Sequence, residues 1–444
     1  IYNLSDQERE DCEEHVMLGG GTPGPTMVRG EGICLWDLDG NRYIDCTSQS
    51  WAMYLGFSNP EITQVIKEHS EFLTHIHQGF HTLTRSYLAR EISRVCPEGF
   101  NRVSFTPGGG PSIESAMKVA LLNRPGAQTI FSQYDSYHGT TLGAMSASWH
   151  STKAAGKYVG GSHFLPLLQP IVRFPNPYLL RLPIPGQHDN PDVACAEVLN
   201  TLIERGTNGP PAGVIVEPLQ ASAGQIPATT AYLNRVREIC DEHGALLIFD
   251  EIQTFCRIGK YTASEHFGVT PDVIVFGKGL GGGLPLSCIV VRDGIEGLGS
   301  DVQELHTFAS PTLSHVTSLK MLEIIARDAL LDHTRAMGEY FRVHLEALKE
   351  DFPQIADIRQ VGLHIGVEFA EPNSELTPLP DEVKRVRAEA IKHGCIFGLG
   401  GVRPWVLKIK PPLIVTEEEA DEIIEILQES LTAVFGRTKV AVAK

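Results

Sequence analysis

The sequence predicts an α/β protein organised on a mostly parallel sheet flanked by helices, and three stretches carry that prediction. Residues 245–250 and 273–276 are unbroken apolar runs of strand length, as expected of strands covered on both faces. Each delivers a charged residue at its C-terminal end, Asp250 in the first and Lys278, just past Gly277, in the second. The interval between them has room for one crossover, which makes the two strands neighbours in a doubly wound sheet whose ligands sit at the carboxyl ends. Residues 102–120 add a strand, a glycine turn and a helix expected to start near Ser112.

A lysine at the end of a core strand is out of place. Gly279, Gly281, Gly282 and Gly283 surround it, and without Cβ atoms they are expected to admit a bulky ligand and to take positive φ beside the amine. A partly desolvated ammonium has a lowered pKa, which Schiff-base chemistry with a carbonyl requires. Alone, a Lys-Gly pair reads as a strand end pointing into water. Asp250 changes that reading, because a carboxylate at a buried strand end is costly unless a cation pairs with it, and a protonated pyridine is such a cation. Schiff-base lysine with pyridinium-binding aspartate is the pairing of pyridoxal phosphate enzymes. On these residues the chain resembles the class III (omega) aminotransferases of pyridoxal phosphate fold type I. The resemblance implies a large domain with a mostly parallel sheet, which binds pyridoxal 5'-phosphate, and a small α+β domain formed from both termini. The division it suggests is 1–60, 61–324 and 325–444.

At 444 residues the chain exceeds one ordinary core, in keeping with two or three structural domains. Asp and Glu outnumber Lys and Arg by 54 to 37, a formal charge of −17, which argues against nucleic acid or an anionic membrane as partner. Nine scattered cysteines with no Cys-x-x-Cys pair suit reduced thiols in the cytoplasm, and no metal is expected. No apolar run approaches the roughly 20 residues of a membrane span, and no signal peptide is visible.

Along the chain, an acidic helical stretch and a loose Gly/Pro segment occupy residues 1–26. Residues 27–45 alternate in polarity around Asp39-Gly40-Asn41, a hairpin signal. The resemblance places this hairpin at the start of the small domain and runs the next loop past the active site. Ser50, Trp51 and Tyr54 are therefore candidates to shape a substrate pocket, with interface packing the alternative for the two aromatics. Helices are expected over 59–69 and 85–95. Gly108, Gly109 and Gly110 precede a helix start, where backbone N–H groups form a phosphate site without a dedicated cation. Relatives carry hydroxyl side chains in this turn, so backbone contacts are what this chain offers. The G-x-G-x-x-G spacing of dinucleotide binders is absent.

After a strand at 129–134, Tyr137-His138-Gly139 matches the family's aromatic-His-Gly. Tyr137 is expected flat on the cofactor ring, and His138 either supports it or is an ordinary buried histidine. The proline-rich stretch 166–191 reads as a surface connection over the site. Strand 213–217 brings Glu217 to the cofactor edge, and Gln253 matches the residue that hydrogen-bonds the cofactor's phenolic oxygen. The loop 254–260 is one residue shorter than the family pattern, so Arg257 is given no role. Thr307 matches a threonine that reaches the cofactor phosphate of a neighbouring subunit, which implies a homodimer with shared sites, assembled further into a tetramer or not.

Residues 357–369 read as a strand pair, and Thr416-Glu-Glu-Glu419 as the capping box of a last helix. Between them stands Lys408, where relatives have an arginine that forks onto the substrate α-carboxylate. Lysine is a point charge and no equivalent of that fork. Lys408 or Arg403 is the candidate to replace it, unless the substrate is not anchored as an α-amino acid.

The implied activity moves an amino group from an amine or amino-acid donor to a 2-oxo acid acceptor. Lys278 forms the Schiff base and carries the proton, and Asp250 keeps the ring nitrogen protonated. Racemisation or epimerisation would use the same two residues and stays open. So does decarboxylating transamination of the dialkylglycine decarboxylase kind, although Gln49 stands one position from that enzyme's glutamine, near Ser50. A dehydrogenase is disfavoured by the missing dinucleotide fingerprint. A silent cofactor-binding scaffold is disfavoured by Lys278, Asp250, Gln253 and Tyr137 occurring together.

Overall fold

In this computed structural model the strands assemble into two seven-stranded sheets. The structure describes residues 4–17, 24–149, 153–154, 157–158, 164, 167, 171–302, 304–373 and 375–436. The first sheet runs in the order Phe100–Thr106, Ser287–Arg292, Val273–Phe276, Leu246–Asp250, Pro211–Val216, Thr129–Gln133, Val172–Phe174. Only Ser287–Arg292 is antiparallel to its neighbours, so the other strands present their carboxyl ends along one edge. Leu246–Asp250 and Val273–Phe276 are parallel neighbours with Asp250 opposite Val275, as the spacing of the two charged strand ends predicts.

Burial follows from the alternation of side chains along each strand. Ile215, Ile248, Val273 and Val275 pack under the helix Gly109–Asn123, while Val214, Val216, Leu247 and Phe249 pack against the helices Pro191–Arg205 and Thr230–His243. Both faces are covered, which is why these strands read as continuous apolar runs. Local chemistry sets the helix ends. The Thr229 hydroxyl accepts from Tyr232 N at the start of Thr230–His243, and Gly244, at φ 67°, closes it.

The second sheet joins both ends of the chain. Met27–Glu31, Cys34–Asp37 and Arg42–Cys46 come from the beginning. Cys395–Leu399, Val406–Ile409, His364–Phe369 and Ile355–Val361 come from the end, and Arg42–Cys46 pairs parallel with Cys395–Leu399 across the join. The C-terminal helix Glu417–Phe435 begins with the capping box expected at Thr416 and Glu419.

Four local expectations need correction. Residues 27–45 form the expected hairpin about Asp39-Gly40-Asn41, Cys34–Asp37 against Arg42–Cys46, but Gly32 at φ 57° adds a second turn and a third strand, Met27–Glu31. The helix expected near Ser112 starts at Gly109. Pro111 sits within its first turn, where a missing N–H costs nothing. The helix expected over 85–95 starts at Leu83, where the Thr82 hydroxyl accepts from Arg85 N. The stretch 166–191 contains the edge strand Val172–Phe174 and is no mere surface connection, while residues 166 and 168–170 of it, like 18–23 of the early Gly/Pro segment, lie outside the described residues.

Candidate active site

The strand ends converge on a cavity of about 280 Å³ lined by Gly108, Gly109, Gly110, Tyr137, Glu217, Asp250, Gln253 and Lys278, among others. Lys278 and Asp250 thus face one space. Lys278 opens a single 3-10 turn, Lys278–Gly281, and is held at φ 49°, a left-handed conformation that disfavours a side chain by about 1 kcal/mol or more.

The glycines around it act differently from the expectation that they admit a ligand. A Cβ on Gly279 would fall inside the Tyr54 ring. Gly282 and Gly283 take the positive φ expected of them, 60° and 99°, but would press on Thr317 O and Met53 Sδ at 3.1 Å each. The close approach is to the protein's own core. At the phosphate-site turn, a Cβ on Gly110 would meet Thr141 Oγ1 at 2.9 Å, whereas one on Gly108 would meet nothing within 4 Å. Gly108 caps the fifteen-residue helix Gly109–Asn123, whose first N–H groups lack intrahelical partners. Thr140 and Thr141 add exposed hydroxyls to the lining, which the sequence reading missed because it looked for hydroxyls in the glycine turn itself.

Two carboxylates form the acidic side. Asp250 Oδ2 lies 2.7 Å from His138 Nδ1, and Asp250 Oδ1 accepts from Ile252 N at 3.1 Å. His138 is therefore the aspartate's own partner, more than an aromatic support. Glu217 accepts from Tyr137 N at 2.8 Å and Ala221 N at 3.3 Å, and burial, reinforced by the Asp250 charge and opposed by His138, pushes its carboxyl up to about 7. The amine of Lys278 moves the other way. Burial lowers its pKa against the opposing pull of Asp250 and Glu217.

The facing side is basic. The ring of Trp51 has Lys278 Nζ at 5.7 Å, Lys408 Nζ at 4.6 Å and Lys410 Nζ at 4.2 Å from its centroid. Trp51 ends a run of four left-handed residues, Ser48 to Trp51, with φ of 45°, 47°, 59° and 69°. Asp45 holds that run, its carboxylate accepting from Thr47 N at 2.8 Å and Gln49 N at 2.9 Å. The buried Lys408 amine makes no hydrogen bond or ion pair among the described residues, and burial with the Lys278 charge brings it down to about 7. Lys410, fully buried, lies 3.3 Å from Gln253 Oε1 and 2.9 Å from His364 Nε2. Lys410 and His364 were missed. The signal was the Lys-x-Lys spacing, which puts two cations on one face of an extended segment.

Trp51 and Lys408 adjoin Lys278 without lining the cavity, and Ser50, Arg403 and Thr307 also lie outside it. Ser50 is exposed. Arg403 pairs with Asp135 at 2.6 Å, donates to Ala223 O at 2.9 Å and stacks on Tyr178 at 4.3 Å, so its charge is already engaged. Thr307 is exposed in the segment before the helix Thr312–Arg327. Arg257, fully buried, donates to Pro411 O at 2.7 Å and Ser48 Oγ at 3.1 Å and so ties the Ser48 loop to the Lys410 segment.

A strand-end acid, a half-buried lysine, an open helix N-terminus and an aromatic residue around one cavity are the donor set that a phosphorylated pyridine aldehyde needs. The chain matches the model of the family "Aminotransferase class-III" over residues 21–431 and belongs to that family. It is a pyridoxal 5'-phosphate-dependent aminotransferase of the fold type I architecture, working between amine or amino-acid donors and 2-oxo acid acceptors. It is 30% identical over 423 residues to an acetylornithine aminotransferase of Methanosarcina acetivorans, covering 95% of each chain. It is 32% identical over 415 residues to an alanine/serine racemase of Pyrococcus horikoshii, covering 91% of this chain and 85% of that one. Among solved structures, a taurine:2-oxoglutarate aminotransferase from Bifidobacterium kashiwanohense, in complex with PLP and glutamate, superposes with a TM-score of 0.86 at 27% identity over 97% of this chain and 98% of that one. No helix among the described residues is long and apolar enough to cross a membrane.

Proposed function

We propose that Lys278 is the residue that carries the cofactor and moves the proton, with Asp250 as its electrostatic counterpart. The observation that carries this reading is that both side chains line one cavity at the carboxyl edge of the sheet, beside the start of Gly109–Asn123. When bound, pyridoxal phosphate supplies an aldehyde for the amine and an electron-withdrawing ring. Asp250, oriented by His138 and Ile252 N, holds a proton on the ring nitrogen. Backbone N–H groups at Gly108, Gly109 and Gly110 would hold the phosphate, Tyr137 would restrain the ring, and Glu217 and Gln253, lining the same cavity, would bind its edge and its phenolic oxygen. Lys278, whose amine burial pulls toward the neutral form, takes the proton from the substrate carbon and returns it, working as general base and then general acid.

Lys408 is the better candidate to hold a substrate carboxylate. Its buried amine beside Trp51, brought down to about 7, is free to take up charge against a carboxylate, whereas Arg403 would first have to leave Asp135. Ser50 and Trp51 belong to the loop over the substrate. Thr307, exposed next to the exposed Phe308, suits a contact with the cofactor phosphate of a second copy, and a homodimer with shared sites follows. Residues 61–324 form the cofactor domain, with 1–60 and 325–444 contributing the smaller one. Nine cysteines without a disulfide support a cytoplasmic setting.

The test is a donor panel of α-amino acids, ω-amino acids and simple amines, with pyruvate or 2-oxoglutarate as acceptor. A yellow protein that bleaches with donor and recovers with acceptor supports the proposal. Similarity to alanine/serine and leucine/methionine racemases keeps one second reading, tested by loss of optical rotation of a single amino acid without any acceptor.

A further inference from the structure

Lys410 sits where a lysine is most expensive to keep: fully buried, with the amines of Lys278 and Lys408 around the same indole and the Arg257 guanidinium close behind. No carboxylate pairs with it among the described residues. Its backbone is fixed from both sides, Lys410 N donating to Cys46 O at 2.8 Å and Lys410 O accepting from Ser48 Oγ at 2.7 Å. The amine meets two neutral acceptors, Gln253 Oε1 at 3.3 Å and His364 Nε2 at 2.9 Å. His364 is fully buried, and burial and the nearby cations hold it well below the ordinary histidine pKa, so it is neutral. With Nε2 accepting, its hydrogen resides on Nδ1, which has no partner. Gln253 makes no other side-chain hydrogen bond among the described residues and lines the cofactor cavity.

A glutamine amide has one accepting end and one donating end, and by itself it can present either. We propose that Lys410 is a positioning residue: by donating to Gln253 Oε1 it fixes the amide so that the Nε2 hydrogens point into the cavity, toward the phenolic oxygen of pyridoxal phosphate. This rests on the role given to Gln253 above. It explains why a lysine is kept in so unfavourable a place. His364 anchors the amine from behind, Trp51 covers it, and the orientation of one amide is the result.

The experiment is a double-mutant cycle on the cofactor-loaded protein with Lys410→Met, Gln253→Leu and both together. Two quantities are read: the dissociation constant of pyridoxal phosphate, and the midpoint of the pH titration of the bound cofactor's visible absorption. Each single change is expected to weaken cofactor binding by about three- to tenfold, the loss of one hydrogen bond. Each is also expected to raise the midpoint, because the anionic form of the phenolic oxygen loses a donor. The double variant is expected to match Gln253→Leu alone. Losses that multiply in the double variant, or a Lys410→Met protein with both values of the parent, overturn the proposal. A purely structural role for Lys410 would lower the melting temperature of the cofactor-free protein without moving the midpoint, and that result also overturns it. If Lys410→Met is not recovered folded, Lys410→Gln is carried through the same cycle. A parent protein that binds no pyridoxal phosphate refutes the functional reading itself, whereas a multiplicative cycle in a yellow protein refutes only the part assigned to Lys410.

Discussion

The first sheet brings to the site an acidic wall of two carboxylates held by hydrogen bonds, whereas the second sheet brings a basic wall of two lysines that meet no carboxylate among the described residues. Asp250 and Glu217 each accept hydrogen bonds from nearby backbone or from His138, although for Glu217 burial outweighs them and raises the carboxyl to about 7. Lys408 and Lys410 meet an indole face, a neutral amide and a neutral histidine, and no carboxylate. Burial pulls both amines toward the neutral form, Lys408 to about 7, so a nearby anion would favour their protonated state. The difference teaches that the carboxylates find hydrogen-bond donors within the chain, while no counter-charge for the two lysines lies among the described residues.

The largest effect expected is from Lys278→Ala. Turnover should fall on the order of a thousandfold or more, and gel filtration should strip the yellow colour from the protein. Covalently retained colour in that variant would break the comparison, since it would show an amine of the basic wall reacting in place of Lys278. Asp250→Asn should lower kcat on the order of a hundredfold by removing the charge while keeping the shape. A smaller loss would mean that His138 and its neighbours already neutralise this carboxylate.

The two walls should also tilt the pH dependence of cofactor-free stability in opposite directions. Glu217, raised from 4.5 to about 7, contributes stability that is present below pH 4.5 and lost as pH rises to about 7. Lys408, lowered from 10.5 to about 7, contributes stability that is absent below pH 7 and regained as pH rises from there towards 10.5. Thermal melts should follow these slopes, each at most about 1.4 kcal/mol per pH unit. Glu217→Gln should flatten the first limb and Lys408→Met the second, and unchanged curves would refute the assignment.

The smallest change is Gly279→Ala. It should destabilise the protein by about 1–3 kcal/mol in chemical denaturation, because Tyr54 fills the space of the new methyl group. An unaffected protein would return Gly279 to the ligand-admitting role its sequence suggests.

By itself the sequence determined the acidic wall and the lysine opposite it. Asp250, Glu217 and Lys278 each follow an apolar run of strand length, and a strand end in a parallel sheet has one destination, so local pattern was enough. The glycine turn at 108–110 was legible for the same reason, although its helix begins earlier than Ser112. Tertiary structure alone decided the basic wall. Trp51, His364, Lys408 and Lys410 come from three distant parts of the chain, brought together by the pairing of His364–Phe369 with Val406–Ile409 and of Arg42–Cys46 with Cys395–Leu399. It also decided that Arg403 is engaged by Asp135 and that the glycines beside Lys278 make room for Tyr54, Thr317 and Met53. Such facts depend on which side chain occupies a given volume, and no period or spacing along one segment encodes that.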